Sequence, residues 1–167
     1  MTPSFAAALA LALARPSQFP AVKAYNLNGG EMELPRGFAG ARNLVLIAFQ
    51  REQQADLDTW LKPLPAIAAA HPDFQYYECP TIQKPMKLVQ MFINQGMRGG
   101  IPDKGQRART ITLYLEKEPF KAALGIQSEK TVYELLVDRA GAILWREEGR
   151  YTEAKGLSLE EALKKPI

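Results

Sequence analysis

Thiols and imidazoles carry much of protein chemistry near neutral pH, and this chain of 167 residues has one of each, Cys79 and His71. One cysteine excludes an intrachain disulfide and a cysteine-based metal cluster, and one histidine excludes a multi-histidine metal centre. No Walker loop, dinucleotide fingerprint, zinc spacing or nucleophile elbow occurs, so neither a metal nor a cofactor is expected. Cys79 lies between Glu78 and Pro80. A reactive thiol needs a positive, partly exposed setting, whereas a buried one behaves as a small hydrophobe. Lys84 is near in sequence, but Glu78 adjoins the sulfur and offsets it, so an inert Cys79 is expected. The alternative is a lone-thiol enzyme of peroxide or glutathione type, which requires a depressed thiol pKa. His71 precedes Pro72 at a helix end, where an imidazolium meets the helix dipole favourably.

A second concentration of functional side chains spans Lys84 to Arg109. Lys84, Lys87, Arg98, Lys104, Arg107 and Arg109 stand against one acid, Asp103, and Met86, Met91 and Met97 lie among them. The spacing predicts a helix from about Lys84 to Gln95, with Pro85 in its first turn and its end near Gly96. On it, Lys84, Lys87, Gln90 and Asn94 form a narrow polar stripe that also takes in Met91. Met86, Leu88, Val89, Phe92 and Ile93 fill the rest. An apolar arc this wide is either deeply buried or partly left for a partner. The following "GMRGGIPDKGQRAR" is expected to be a loop, and loops on rigid scaffolds commonly bind. Flexible methionines suit adaptable apolar contact, and arginines suit acidic groups. The candidate binding residues are therefore Met91, Asn94, Met97, Arg98, Asp103, Arg107 and Arg109. Alternatives remain: a core helix followed by a solvated loop shaped by an Arg98–Asp103 ion pair, or a module binding a small anion. Nucleic acid is not expected, because aromatic residues are not interleaved with the basic ones.

The elements that must position these residues alternate. A net charge of +3 and a pI near 9.0 say little about a partner. With 47% hydrophobic residues, the length suits one domain with a real core. "NLVLIAF" is continuous and apolar and predicts a central strand covered on both faces. A helix is expected from about Gln54 to Ala70, kinked at Pro63 and Pro65. "DFQYYEC" is the next strand, and "RTITLYLE" alternates as a half-buried one. "EPFKAALG" is a short helix, "TVYELLVDRAGAILWREEG" a hairpin turning at Asp138 to Gly141, and "SLEEALKK" a final helix with Ser158 and Glu161 at capping-box spacing. A hairpin around Asn28-Gly29-Gly30 precedes them all. The order predicts an α/β fold with a mixed sheet flanked by helices.

This order resembles the thioredoxin-like fold, over about residues 18 to 165, on "YNLNGGEMELP", "NLVLIAF", the kinked helix, and a closing hairpin with Asp138, Gly141, Ile143 and Trp145. A narrower stretch, "FINQGMRGGIPDKGQRARTITLYLEKEPFKAALGI", resembles the mitochondrial ATP synthase assembly-factor family ATP-ten and its bacterial relatives. Asn94, Gly96, Met97, Arg98, Gly100, Ile101, Pro102, Asp103 and Arg109 to Tyr114 carry it. The resemblance implies an assembly factor or chaperone with a protein partner, such as a membrane subunit of the rotary ATPase. Redox members of the fold place Cys-x-x-Cys where Gln54-Ala55-Asp56-Leu57 stands here, and a cis-proline near Lys130. Both are missing, so thiol-disulfide exchange is not expected.

Residues 1–14 read as a possible signal peptide. Phe5 to Ala14 is too short to span a bilayer, which takes about 20 residues. It ends in the small-x-small pattern Ala12-Leu13-Ala14, although "MTPS" lacks a basic residue. A cleaved signal implies a periplasmic or otherwise exported protein. The alternative is an Ala/Leu-rich helix on a cytoplasmic or membrane-associated one.

Overall fold

The structure, a computed structural model, describes residues 16–167, so the predicted signal segment 1–14 lies outside the described residues. After an extended lead-in, strands β1 (Val22–Asn26) and β2 (Glu31–Leu34) form the expected hairpin. Asn26 shapes its turn: the side-chain Oδ1 accepts from the backbone N–H of Asn28 at 3.0 Å and Gly30 at 2.9 Å. Gly29 takes the positive φ of 85° that the turn needs. Strand β3 (Arg42–Ala48) leads through a single 3-10 turn (Arg51–Gln53) into α1 (Gln54–Leu61) and α2 (Leu64–Ala70). The two helices are divided at Lys62–Pro63, where proline lacks the N–H that a continuous helix requires.

Strand β4 (Phe74–Gln83) is followed by α3 (Lys87–Gly100), α4 (Lys104–Arg109) and β5 (Ile111–Leu115). Then come α5 (Lys117–Leu124), β6 (Tyr133–Asp138), β7 (Ile143–Glu148) and α6 (Glu153–Lys164). The seven strands lie in the order β2-β1-β5-β4-β3-β6-β7. β3 and β4 run parallel, as do β4 and β5, while the other neighbours are antiparallel. A mixed α/β sheet flanked by helices is therefore what forms.

Three expectations about elements are corrected. Helix α3 starts at Lys87 rather than Lys84, because Met86 keeps an extended ψ of 149°, and it continues past Gly96 to Gly100. Glycine costs a helix interior about 1 kcal/mol, but the extra turn is anchored. Met97 Sδ accepts from the Thr112 hydroxyl at 3.6 Å, and Arg98 Nε donates to the Leu27 carbonyl at 2.9 Å. The expected loop after it contains α4, whose N-cap Asp103 accepts from the Gln106 N–H at 2.6 Å. Helix α6 begins before Ser158: Thr152 caps it, accepting from the Lys155 N–H at 3.2 Å, and Ser158 instead accepts from Trp145 Nε1 at 2.9 Å.

Both faces of the sheet are covered. On one, Val45, Ile47, Tyr77, Cys79, Ile111, Leu113 and Leu135 pack against Phe19, Phe38, Phe120 and Leu124. On the other, Leu44, Leu46, Phe74, Tyr76 and Leu136 pack under α1, α2 and α6 through Leu57, Trp60, Leu64, Ile67, Leu159 and Leu163. Arg42, buried on β3, reaches the end of α6, where its Nη1 donates to the carbonyls of Ala162 and Leu163, the orphan acceptors of a helix C-terminus. Among the described residues no helix is long and apolar enough to cross a membrane.

Trp60 joins the second core to the last hairpin. Its Nε1 donates to the Gly149 carbonyl at 2.8 Å, and its ring meets Trp145 and Tyr151 edge-on at 6.2 and 5.2 Å. Trp60→Ala is expected to cost about 3–5 kcal/mol. Urea titration checks this as a lowered midpoint with an unchanged slope.

Candidate functional site

The end of β3 leads into the turn where the resemblance to the thioredoxin-like fold would place thiols. The chain there is braced by an amide. Gln53, buried, accepts through Oε1 from the backbone N–H groups of Phe49 at 2.9 Å and Gln50 at 3.2 Å. Its Nε2 donates to the Glu129 carbonyl at 2.7 Å, tying this turn to the loop before β6. Gln54 opens α1 and donates to Asp58 Oδ1 at 3.0 Å and to Glu78 Oε1 at 3.1 Å. Asp56 pairs with Arg150 at 2.8 Å, and Leu57 is core. The first turn of α1 thus presents amides, a carboxylate and apolar groups, none of which attacks a disulfide. The one cis peptide among the described residues is Leu34–Pro35, in another loop. Cys79 is fully buried on the opposite face of the sheet, and burial pushes its thiol pKa up, with Glu78 adding to the shift. A depressed thiol pKa, which lone-thiol chemistry needs, is the reverse of what this setting produces.

Sequence reading passed over two buried carboxyl groups here. Glu78 on β4 and Glu134 on β6 both register with Leu46 on β3, so they flank it on the face beneath α1. Burial raises the pKa of Glu78, partly offset by the amides of Gln54 and Gln106. Glu134 is 0% exposed, neither carboxyl oxygen finds a hydrogen-bond partner among the described residues, and burial pushes its pKa up to about 9. Lys155 offsets this only in part. The signal was available in "YELLV", a lone acid inside an apolar strand. Beside Glu78 lies a cavity of about 300 Å³ lined by Leu61, Tyr76, Glu78, Asp103, Gln106 and Arg109.

Helix α3 has its sides reversed relative to an ordinary surface helix. None of its residues is buried. Asn94 faces the sheet and accepts from the Tyr114 hydroxyl at 2.7 Å, and Met97 is the acceptor for Thr112. The apolar side points outward: Leu88 is 62% exposed and Met91 and Phe92 are each 66% exposed, with Met86 and Val89 also exposed. The alternative of a core helix is thereby overturned. The cause lies in β5. Ile111, Leu113 and Leu115 serve the first core, so Thr112 and Tyr114 project from the other face, and a polar strand face takes the polar stripe of the helix.

The seven candidate binding residues do not converge on one point. Met91 lies on the outer face of α3, while Asn94 and Met97 turn inward. Arg98 is held by Leu27 and Asp103 caps α4, so these two do not form the ion pair considered above. Arg107 donates to Asn28 Oδ1 at 3.1 Å and to the Ile101 carbonyl at 3.5 Å. Arg109 lies over the Tyr76 ring, 4.8 Å from its centroid, at the edge of the cavity beside Glu78.

No family model matches the chain, and no curated protein matches it. Solved structures do. The thioredoxin domain of a thiol-disulfide oxidoreductase from Bacteroides vulgatus is 17% identical, covering 91% of this chain and 99% of that one, with a TM-score of 0.55. A thiol:disulfide interchange protein from a Bacteroides species is 18% identical over 92% of each chain, with a TM-score of 0.55. The pneumococcal exposed lipoprotein thioredoxin of Streptococcus pneumoniae is 15% identical, covering 85% of this chain and 99% of that one, with a TM-score of 0.52. At these identities the likeness shows the fold, and the fold is thioredoxin-like.

Two outcomes follow for this region. Iodoacetamide is expected to leave Cys79 unmodified in the folded protein at pH 8 and to modify it fully in urea, as intact mass will read. Glu134 should give stability a pH dependence. Its folded pKa of about 9 lies above the ordinary 4.5, so its contribution is complete below about pH 4.5 and is lost as pH rises through 9. Urea midpoints at pH 5, 7 and 9 should therefore fall in the native protein and fall less steeply in Glu134→Gln.

Proposed function

We propose that this protein acts by binding another protein and not by thiol-disulfide exchange. It serves as an assembly factor or chaperone for a membrane complex such as ATP synthase. The observation that carries this reading is the outward apolar face of α3. Met86, Leu88, Val89, Met91 and Phe92 hold large hydrophobic surface in water, which a soluble protein rarely does without an interaction to satisfy. Methionine and phenylalanine are also the side chains that adapt to or anchor protein contacts. The replacement of both sulfurs by Gln54 and Leu57 supports the loss of redox activity, as does the burial of Cys79. The ATP synthase client rests on the ATP-ten resemblance across Phe92 to Ile126. The thioredoxin-like solved structures, named for thiol-disulfide interchange, support a common scaffold on which this chain has exchanged chemistry for docking.

Two locations follow from two features. An exported protein is favoured by the N-terminal small-x-small pattern and by the likeness to a lipoprotein thioredoxin. The mitochondrial assembly role instead acts on the matrix side, which corresponds to the bacterial cytoplasm.

In-cell photocrosslinking from positions 91 and 92, with Glu161 on α6 as a control position, tests the reading. A rotary ATPase membrane subunit captured from the α3 positions alone is expected. Phe92→Glu should reduce capture from position 91 roughly tenfold, the loss typical of one hot-spot residue, with thermal stability unchanged. Capture of envelope proteins instead keeps the binding reading and discards the ATP synthase client. No protein above background from either position overturns it.

A further inference from the structure

Beneath α3, on the side away from its apolar face, lies a cleft of about 520 Å³ between the helix and strands β1 and β5. Lys23, Lys84, Lys87 and Arg98 line it, and among the described residues no acidic side chain does. Among the described residues, Lys23 alone of these four cations has an ion-pair partner, Glu31 at 3.0 Å on the exposed edge of the hairpin. Three positive charges therefore face one cleft without neutralisation, an arrangement that repels itself and draws counter-ions. Arg98 is pre-positioned, because its Nε is fixed on the Leu27 carbonyl while its two η nitrogens have no partner among the described residues. A guanidinium held this way suits bidentate contact with an oxyanion.

The neutral part of the lining is also ordered for this purpose. The Tyr114 hydroxyl donates to Asn94 Oδ1, which leaves the Asn94 amide N–H groups as donors. Burial pushes the Tyr114 pKa up to about 12, so the phenol stays protonated and neutral near pH 7 and adds no negative charge. Gln90 is held by its own donation to the Pro85 carbonyl at 2.8 Å. Thr112 and Tyr25 also line it.

We propose that this cleft binds an organic phosphate, either free in solution or as a lipid headgroup. Three uncompensated cations match a phosphate monoester, which carries up to two charges, better than a single carboxylate or a phosphodiester. The cleft volume exceeds that of the phosphate alone and admits the group it esterifies. This inference is independent of the protein-docking reading, which concerns the outer face of the same helix.

The test uses the full chain, titrated by calorimetry with glycerol 3-phosphate and with glutarate, and by sedimentation with vesicles of phosphatidylcholine alone or containing phosphatidic acid. The variant is Lys84→Gln/Lys87→Gln, two exposed side chains without a partner among the described residues, so the fold is retained and circular dichroism verifies it. Saturable binding of glycerol 3-phosphate that weakens roughly tenfold in the variant, the loss of about 1.4 kcal/mol, and weakens further with salt, supports a free phosphate. Binding only to vesicles containing phosphatidic acid, with the same loss in the variant, supports the headgroup. Binding to neither probe, binding unaffected by the variant, or equal binding to phosphatidylcholine overturns the proposal. Preference for glutarate over glycerol 3-phosphate overturns the assignment of phosphate.

Discussion

Strand β3 is hydrogen-bonded along both edges, parallel to β4 and antiparallel to β6, and every one of its residues is buried. A strand enclosed in this way has no solvent-facing side, so each neighbour must supply a cover for one of its faces. Val45 and Ile47 call for the first core, and Leu44 and Leu46 for the second. The same strand carries Arg42, whose guanidinium meets the carbonyl end of α6 and sits 3.6 Å from Asp73. A single run of seven residues thus fixes the helices on one face, the extended lead-in on the other, and the last turn of the chain.

That enclosure also decides what the end of β3 is free to do. The turn leaving Ala48 is stitched by Gln53 to the loop before β6, so its shape is set by three hydrogen bonds of one buried amide. Below it, Leu46 lies between Glu78 and Glu134. A carboxyl group without a hydrogen-bond partner in a dry core costs more than an apolar side chain of the same size would. Glu134 is accordingly a place where the sequence departs from what packing alone favours.

Further along the sheet the constraint is of another kind. β5 gives its apolar residues to the first core and leaves Thr112 and Tyr114 on the other side. A helix laid over that surface is best satisfied with its polar stripe inward. The apolar arc of α3 is then forced into solvent, and the lysines and Arg98 gather round the cleft between helix and sheet. The exposed hydrophobic face and the basic cleft are two consequences of one strand face being polar.

Much of this architecture is legible in the sequence, because it is written in periodicity. "NLVLIAF" is apolar from Leu44 onward, so it is central; "RTITLYLE" alternates, so one face is apolar; Pro63, inside a helical pattern, breaks it. The absence of both sulfurs at Gln54 and Leu57 is likewise a property of the chain alone. What the sequence does not hold is the side to which an amphipathic element turns. The stripe of Lys87, Gln90 and Asn94 is visible in one dimension, but whether it meets water or a polar strand depends on Thr112 and Tyr114, which lie elsewhere in the chain. The extension of α3 through Gly96 and Gly100 is likewise decided by Leu27 and Thr112, and the juxtaposition of Glu78 with Glu134 by the register of β3. Local pattern is set by neighbours in sequence. Orientation and encounter are set by contacts between residues far apart, which only the tertiary structure brings together.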